Sequence, residues 1–186
     1  MDRGTESYRR FLAGEEDGLV EIIRDYKDGL ILYLNSFVHN LHDAEALAED
    51  TFVRLAVKKP KDRRAAGFRT WLYTIGRNIA VDHLRRQRRT AAVPLEELPE
   101  QASDREALEL AYLREERRIQ VHRAMEKLKP DYRQVLWLVY FEGFSMKEAA
   151  GVMGKSVQSV QTLAWRARQA LKEEWIREGY TYEELP

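Results

Sequence analysis

Twice along this chain, four apolar residues fall at i, i+4, i+7 and i+11. They are Phe68, Leu72, Ile75 and Ile79, and then Val160, Ala164, Ala167 and Leu171. That spacing lays one apolar stripe along an α-helix, whereas a half-buried strand would alternate residue by residue. The remaining apolar runs repeat the pattern. Leu19, Ile22, Ile23, Tyr26, Leu30, Tyr33, Leu34 and Phe37 keep helical spacing from Leu19 to Asn40. Ala44, Leu47, Ala48, Thr51, Phe52 and Leu55 keep it after Asp43. With only 10 Gly and 5 Pro in 186 residues, little interrupts these helices, and the expected fold class is all-α. Gly29, inside the long run, is an exception that costs about 1 kcal/mol against Ala in a helix interior.

The breaks divide the chain. Residues Thr5 to Gly18 read as a short helix or a loose lead-in. Asp43 stands in N-cap position, Lys58 and Lys59 close the same helix, and Pro60 stops it. The run KPKDRRAAG, residues 59–67, is a basic loop leading into the Phe68 helix. From Thr90 to Ala111 the composition changes. Pro94 and Pro99 interrupt it, and Glu96, Glu97, Glu100, Asp104, Glu106 and Glu109 make it acidic. A second helical block follows, in which PDYRQVLWLVYFE is apolar nearly all round and Gly143 is placed to end it. Two small helical domains joined by an acidic flexible linker are therefore expected. Their bounds are 1–90, 91–111 for the linker, 112–176, and a tail at 177–186.

Several function classes drop out. There is no cysteine, which excludes disulfides, thiolate zinc sites and cysteine nucleophiles, and agrees with a reducing cytoplasm. No apolar run approaches the ~20 residues of a membrane span, so no membrane insertion is expected. His39, His42, His83 and His122 are scattered, no paired acids share a pocket, and no phosphate-cradling Gly motif occurs. No catalytic residues, metal ligands or cofactors are expected, and the chain does not read as an enzyme.

Lys plus Arg and Asp plus Glu both number 31, so net charge is zero. The charge is nonetheless segregated. Arg85, Arg86, Arg88 and Arg89 crowd the end of the Phe68 helix, with Asp82 as the nearby acid. A polyanion senses the local field within about a Debye length, roughly 8–10 Å. Such a run suits nucleic acid, and it equally suits a solvated helix end.

The second block carries a more specific arrangement. Ser145-Met146-Lys147-Glu148 matches the capping box. A short helix follows, Gly154 ends it, and Ser156 can cap the longer helix SVQSVQTLAWRARQALKEEW. A short helix, a tight Gly-containing turn and a longer helix is the helix-turn-helix layout, whose second helix enters the major groove. An ordinary helical hairpin has the same outline. In the DNA reading, Ser156, Gln158, Ser159, Gln161 and Thr162 lie at the reading end, and Lys155, Arg166 and Arg168 suit phosphates.

Taken in order, FRTWLYTIGRNIAVDHLRRQRR and SMKEAAGVMG followed by SVQ and WRARQAL make the chain resemble bacterial RNA polymerase sigma factors of the extracytoplasmic-function type. The resemblance spans about Leu19 to Trp175. It implies that the first domain binds core RNA polymerase and captures the melted −10 promoter element. It implies that the second reads the −35 element, and that the linker runs through the polymerase cleft. On the helix after Asp43, the resemblance marks Glu45, Glu49, Asp50 and Arg54 as polymerase-contact candidates. It aligns Asn78 with a −10 base-reading Asn, and gives Arg77, Arg85, Arg86 and Arg88 to backbone phosphates. Trp71 is expected in the core. Tyr73 divides evenly between the core and stacking on an unpaired base, a contact worth about 1–3 kcal/mol. The resemblance also raises the expectation of an anti-sigma partner.

There are departures. Relatives often carry an aromatic residue and a Gly in the loop at 59–67 to hold a flipped base, and no aromatic stands there in this chain. Glu49 replaces a common Gln, and Gln161 and Leu163 stand where basic residues are frequent, which implies a different −35 preference or a weaker one. The rival reading is a stand-alone helix-turn-helix regulator that binds duplex DNA by itself. A helical adaptor that binds only protein is a third.

Overall fold

The computed structural model describes residues 3–59, 67–90 and 116–179. Every regular element among them is helical. The first unit holds α1 (Arg3–Leu12), α2 (Asp17–Val38), α3 (Leu41–Lys58) and α4 (Phe68–Thr90). The second holds α5 (Glu116–Glu126) and α6 (Pro130–Leu136), which runs on into a π-helical turn at Trp137–Phe141. It is completed by α7 (Met146–Met153) and α8 (Val157–Arg177). The expected linker at 91–111 and the loop residues 60–66 lie outside the described residues, as does the end of the expected tail from 180.

The stripes of α3 and α8 bury as their spacing requires. On α3, Ala44, Leu47, Ala48, Thr51, Phe52 and Leu55 all face inward. On α8, Val160, Ala164, Ala167, Leu171 and Trp175 do the same. On α4 the buried face is Phe68, Leu72, Tyr73 and Ala80, with Gly76 against Leu30, while Ile75 and Ile79 of the expected stripe are only half-buried. The inner line thus follows i, i+4, i+8 and i+12, and Tyr73 widens it on the side turned to the second unit.

Two local expectations are corrected. The cap of α3 is Asn40, whose side chain accepts from the Asp43 N–H at 3.1 Å. His39, at φ 55°, turns the chain out of α2, so the extended cap conformation falls on Asn40. Asp43 therefore sits inside the first turn, where its charge still suits the helix dipole. The second correction concerns PDYRQVLWLVYFE, which does not end as a regular α-helix. At Trp137–Phe141 it widens to a π-helical turn, and the Glu142 N–H bonds the Trp137 carbonyl at 3.1 Å. That extra residue per turn stacks Trp137 on Phe141, with ring centroids 4.6 Å apart and planes at 11°.

The two units are packed on each other. α4 lies against α7, and α2 lies against α6 and the π-helical turn. Glycines allow the approach at two places. A Cβ on Gly29 would stand 2.7 Å from the Tyr73 hydroxyl and 3.1 Å from a Glu142 carboxylate oxygen. A Cβ on Gly151 would stand 3.2 Å from Thr70 Cγ2. The residue read from sequence as a local weakness in α2 is thus one place where the second unit approaches closely.

Candidate nucleic-acid interface

Three surfaces gather the residues singled out by sequence. The first is the exposed face of α4. Asn78 is exposed in mid-helix, one turn after the buried Tyr73 and beside the half-buried Arg77. Arg85, Arg86 and Arg89 are exposed at its end, and the side chain of Arg88 lies outside the described residues. Arg85 is only loosely held. Its guanidinium is 3.5 Å from Asp82, with the two side chains 68% and 56% exposed. An exposed pair of this kind contributes about 0–1 kcal/mol and leaves the cation available. His83 Nε2 and Asp43 Oδ2 lie 3.7 Å apart where the end of α4 meets the start of α3.

Tyr73 is resolved in favour of burial. It is 1% exposed, packed between Tyr33 at 5.3 Å and Phe144 at 5.1 Å between ring centroids. Its hydroxyl donates to Glu142 Oε2 at 2.7 Å. Burial first, and then the charge of Glu142, hold this phenol well above its ordinary pKa. It offers no open face to a base in this arrangement. Trp71 is partly buried against Tyr8 and Phe68, at 5.3 and 5.8 Å, in keeping with a core role.

The second surface is the α7–turn–α8 hairpin. The Ser145 hydroxyl accepts from the Glu148 N–H at 3.3 Å, and the Ser145 N–H donates to the Glu148 carboxylate at 2.9 Å. Gly154 at φ 64° makes the turn, a left-handed conformation that a side chain would strain. Ser156 caps α8 by accepting from the Ser159 N–H at 3.2 Å. From there Gln158, Ser159, Gln161, Thr162, Arg166 and Arg168 are all exposed. Thr162 donates to the Gln158 main-chain carbonyl at 3.0 Å. Lys155 pairs with Asp131 at 3.2 Å, so an acid from α6 already holds this cation. Trp165, 62% exposed, and Val157, 40% exposed, share the surface of α8 with them. Their places outside the Val160–Leu171 stripe were the signal for them in the sequence.

The third surface is the outer side of α3. Glu49, Asp50 and Arg54 are exposed and Glu45 is half-buried. Beside them stand Val53 and Val57, 57% and 75% exposed, two apolar residues outside the inner stripe of α3. Charged groups around exposed apolar ones make this a face suited to protein rather than to nucleic acid. Among the described residues no cluster of His, Asp and Glu could hold a metal ion. No described helix is long and apolar enough to cross a membrane.

Known proteins share this arrangement. The family profile described as Sigma-70 region 2 matches residues 22–90, and that described as Sigma-70, region 4 matches residues 118–171. The RNA polymerase sigma-H factor of Pseudomonas aeruginosa is 31% identical over 179 residues, which cover 92% of this chain and 93% of that protein. The ECF RNA polymerase sigma factor SigW of Bacillus subtilis is 26% identical over 169 residues, covering 87% and 90%. Among solved structures, CnrH in complex with the cytosolic domain of CnrY is similar with a TM-score of 0.63 and 27% identity. It covers 91% of this chain and 95% of that one.

Proposed function

The chain belongs to the extracytoplasmic-function sigma factors of RNA polymerase, and from that membership we propose how its surfaces divide the work. It is a transcription initiation factor that binds core RNA polymerase and directs it to promoters. It acts by binding and positioning, and the stand-alone regulator is not favoured.

In this reading α4 takes the melted −10 strand. Asn78 meets an unpaired base, and Arg77, Arg85, Arg86 and Arg88 hold phosphates. A single strand suits α4 because cations spaced along the helix can track one phosphate backbone. α8 takes the duplex −35 element. Gln158, Ser159, Gln161 and Thr162 face base edges, Arg166 and Arg168 face phosphates, and Lys155 and Ser156 hold the turn beside them. The outer face of α3, with Glu45, Glu49, Asp50 and Arg54 around Val53 and Val57, docks on core polymerase. We extend to this chain an anti-sigma partner of the kind in the solved complex of CnrH with CnrY.

The observation that carries the division is that the helix ending in Arg85, Arg86 and Arg89 and the capped hairpin helix expose separate, differently built faces. The test is a pair of binding measurements on reconstituted holoenzyme. N78A should weaken a single-stranded −10 probe at least tenfold and leave a duplex −35 probe unchanged. Q158A with T162A should do the opposite. Equal loss on both probes for either variant refutes the division.

A further inference from the structure

Of the hairpin cations suited to phosphates, Lys155, Arg166 and Arg168, the first is already engaged. Lys155 Nζ lies 3.2 Å from Asp131 Oδ2. Among the described residues, no acid pairs with Arg166 or Arg168. Lys155 stands immediately before Ser156, the cap of α8, at the end of the helix that carries Gln158, Ser159 and Thr162. Backbone fixes both members of the pair. The Lys155 N–H donates to the Ala150 carbonyl at 3.1 Å as the turn closes. Asp131 follows Pro130 in the first turn of α6, where the helix dipole favours a carboxylate, and α6 packs on α8. The acid therefore comes from outside the hairpin, on a helix anchored in the core by Val135 and Leu136.

The two side chains are 35% and 47% exposed, so the pair adds little to stability. Its effect on the surface field is larger. A phosphate approaching the start of α8 meets a neutral pair in place of a cation. Binding of duplex without regard to sequence comes almost wholly from cations that neutralise phosphates. Contacts to base edges by Gln158, Ser159, Gln161 and Thr162 belong to a separate, sequence-dependent contribution. We propose that Asp131 is an electrostatic brake on the duplex-binding face: it neutralises Lys155 and so withholds one phosphate contact. The hairpin then holds any duplex less tightly, and base edges supply a larger share of what affinity remains. This rests on the reading of α8 as the duplex-binding helix. It adds a residue outside that helix which sets how strongly the helix holds DNA.

D131N keeps the shape of the side chain and removes its charge. The full-length chain is titrated by anisotropy against a short labelled duplex of mixed sequence at several salt concentrations, and thermal melts show that the fold is kept. One restored phosphate contact should make the slope of log K against log salt steeper by about 0.9. With counterion release as its whole contribution, D131N should bind about fifteenfold tighter than the unaltered chain at roughly 50 mM salt and about fourfold tighter at roughly 200 mM.

K155Q separates the two ways in which the acid can act. If Asp131 works by neutralising Lys155, the D131N gain disappears in the K155Q background, which is the expected result. If the gain survives there undiminished, Asp131 repels DNA directly and the route through Lys155 is wrong. If D131N binds no more tightly than the unaltered chain, the brake is wrong. Weaker binding by D131N also overturns it, and would make Asp131 the residue that aims Lys155 at a phosphate. The double variant R166A/R168A, made in both the unaltered and the D131N chains, tests the helix independently. If it leaves duplex binding unchanged in both, the reading of α8 fails, whatever the effect of D131N.

Discussion

Replacing Arg85 and Arg86 together by Ala should change the salt dependence of strand binding by a calculable amount. Both side chains are exposed at the end of α4, and the 3.5 Å approach of Arg85 to Asp82 is too exposed to hold the fold. Folding stability should therefore move by no more than about 0.5 kcal/mol, as surface substitutions usually do. Each phosphate neutralised on a single strand contributes about 0.7 to the slope of log K against log salt. Two lost arginines should make that slope shallower by about 1.4. The advantage of the unaltered chain should then shrink about sevenfold between roughly 50 and 200 mM salt. The electrostatic contribution is independent of sequence, so a fluorescent single strand of mixed sequence suffices. Anisotropy titrations of reconstituted holoenzyme at several salt concentrations give the slope. An unchanged slope, with the double variant folded, would refute the assignment of these cations to phosphate.

Further outcomes follow from other parts of the fold. V53E with V57E should weaken core-polymerase binding at least tenfold while helicity stays intact, because both valines are exposed; co-elution with core checks this. S145A removes the cap of α7 and should cost about 1 kcal/mol in urea denaturation, together with affinity for duplex −35 DNA. W175A empties the centre of the second unit, where Trp175 is 0% exposed, and should cost about 3–5 kcal/mol. The Ser7 hydroxyl, followed by Arg10, holds the Glu21 carboxyl below its ordinary pKa. Its stabilising effect is complete above the ordinary carboxylate range and disappears as pH falls through the lower folded value. E21Q should flatten that part of the acid unfolding curve, and an unchanged curve would contradict the linkage.

Much of this was legible in one dimension. Helical stripes are local, so the buried faces of α3 and α8 could be read from spacing alone. So could the Ser145–Glu148 capping box and the left-handed Gly154, since each needs only a few neighbouring residues. The cap of α3 was misplaced because Asn40 and Asp43 are both good caps, and the deciding fact is the backbone turn at His39. Tyr73 was undecidable for a different reason. Its wheel position is intermediate, and the groups that bury it, Glu142 and Phe144, are about seventy residues away in the chain. Gly29 belongs with it, a poor helix residue locally and a necessary gap once Tyr73 and Glu142 arrive. The π-helical turn at Trp137–Phe141 has no local signal in a run that is apolar nearly all round.

The most direct measurement is reconstituted transcription from the promoter upstream of the chain's own gene, with purified core polymerase. Core alone should be silent, and adding this chain should yield a transcript of defined start. N78A should abolish the transcript without releasing the chain from core. If the chain neither binds core nor directs initiation, yet binds duplex DNA tightly by itself, the account is contradicted.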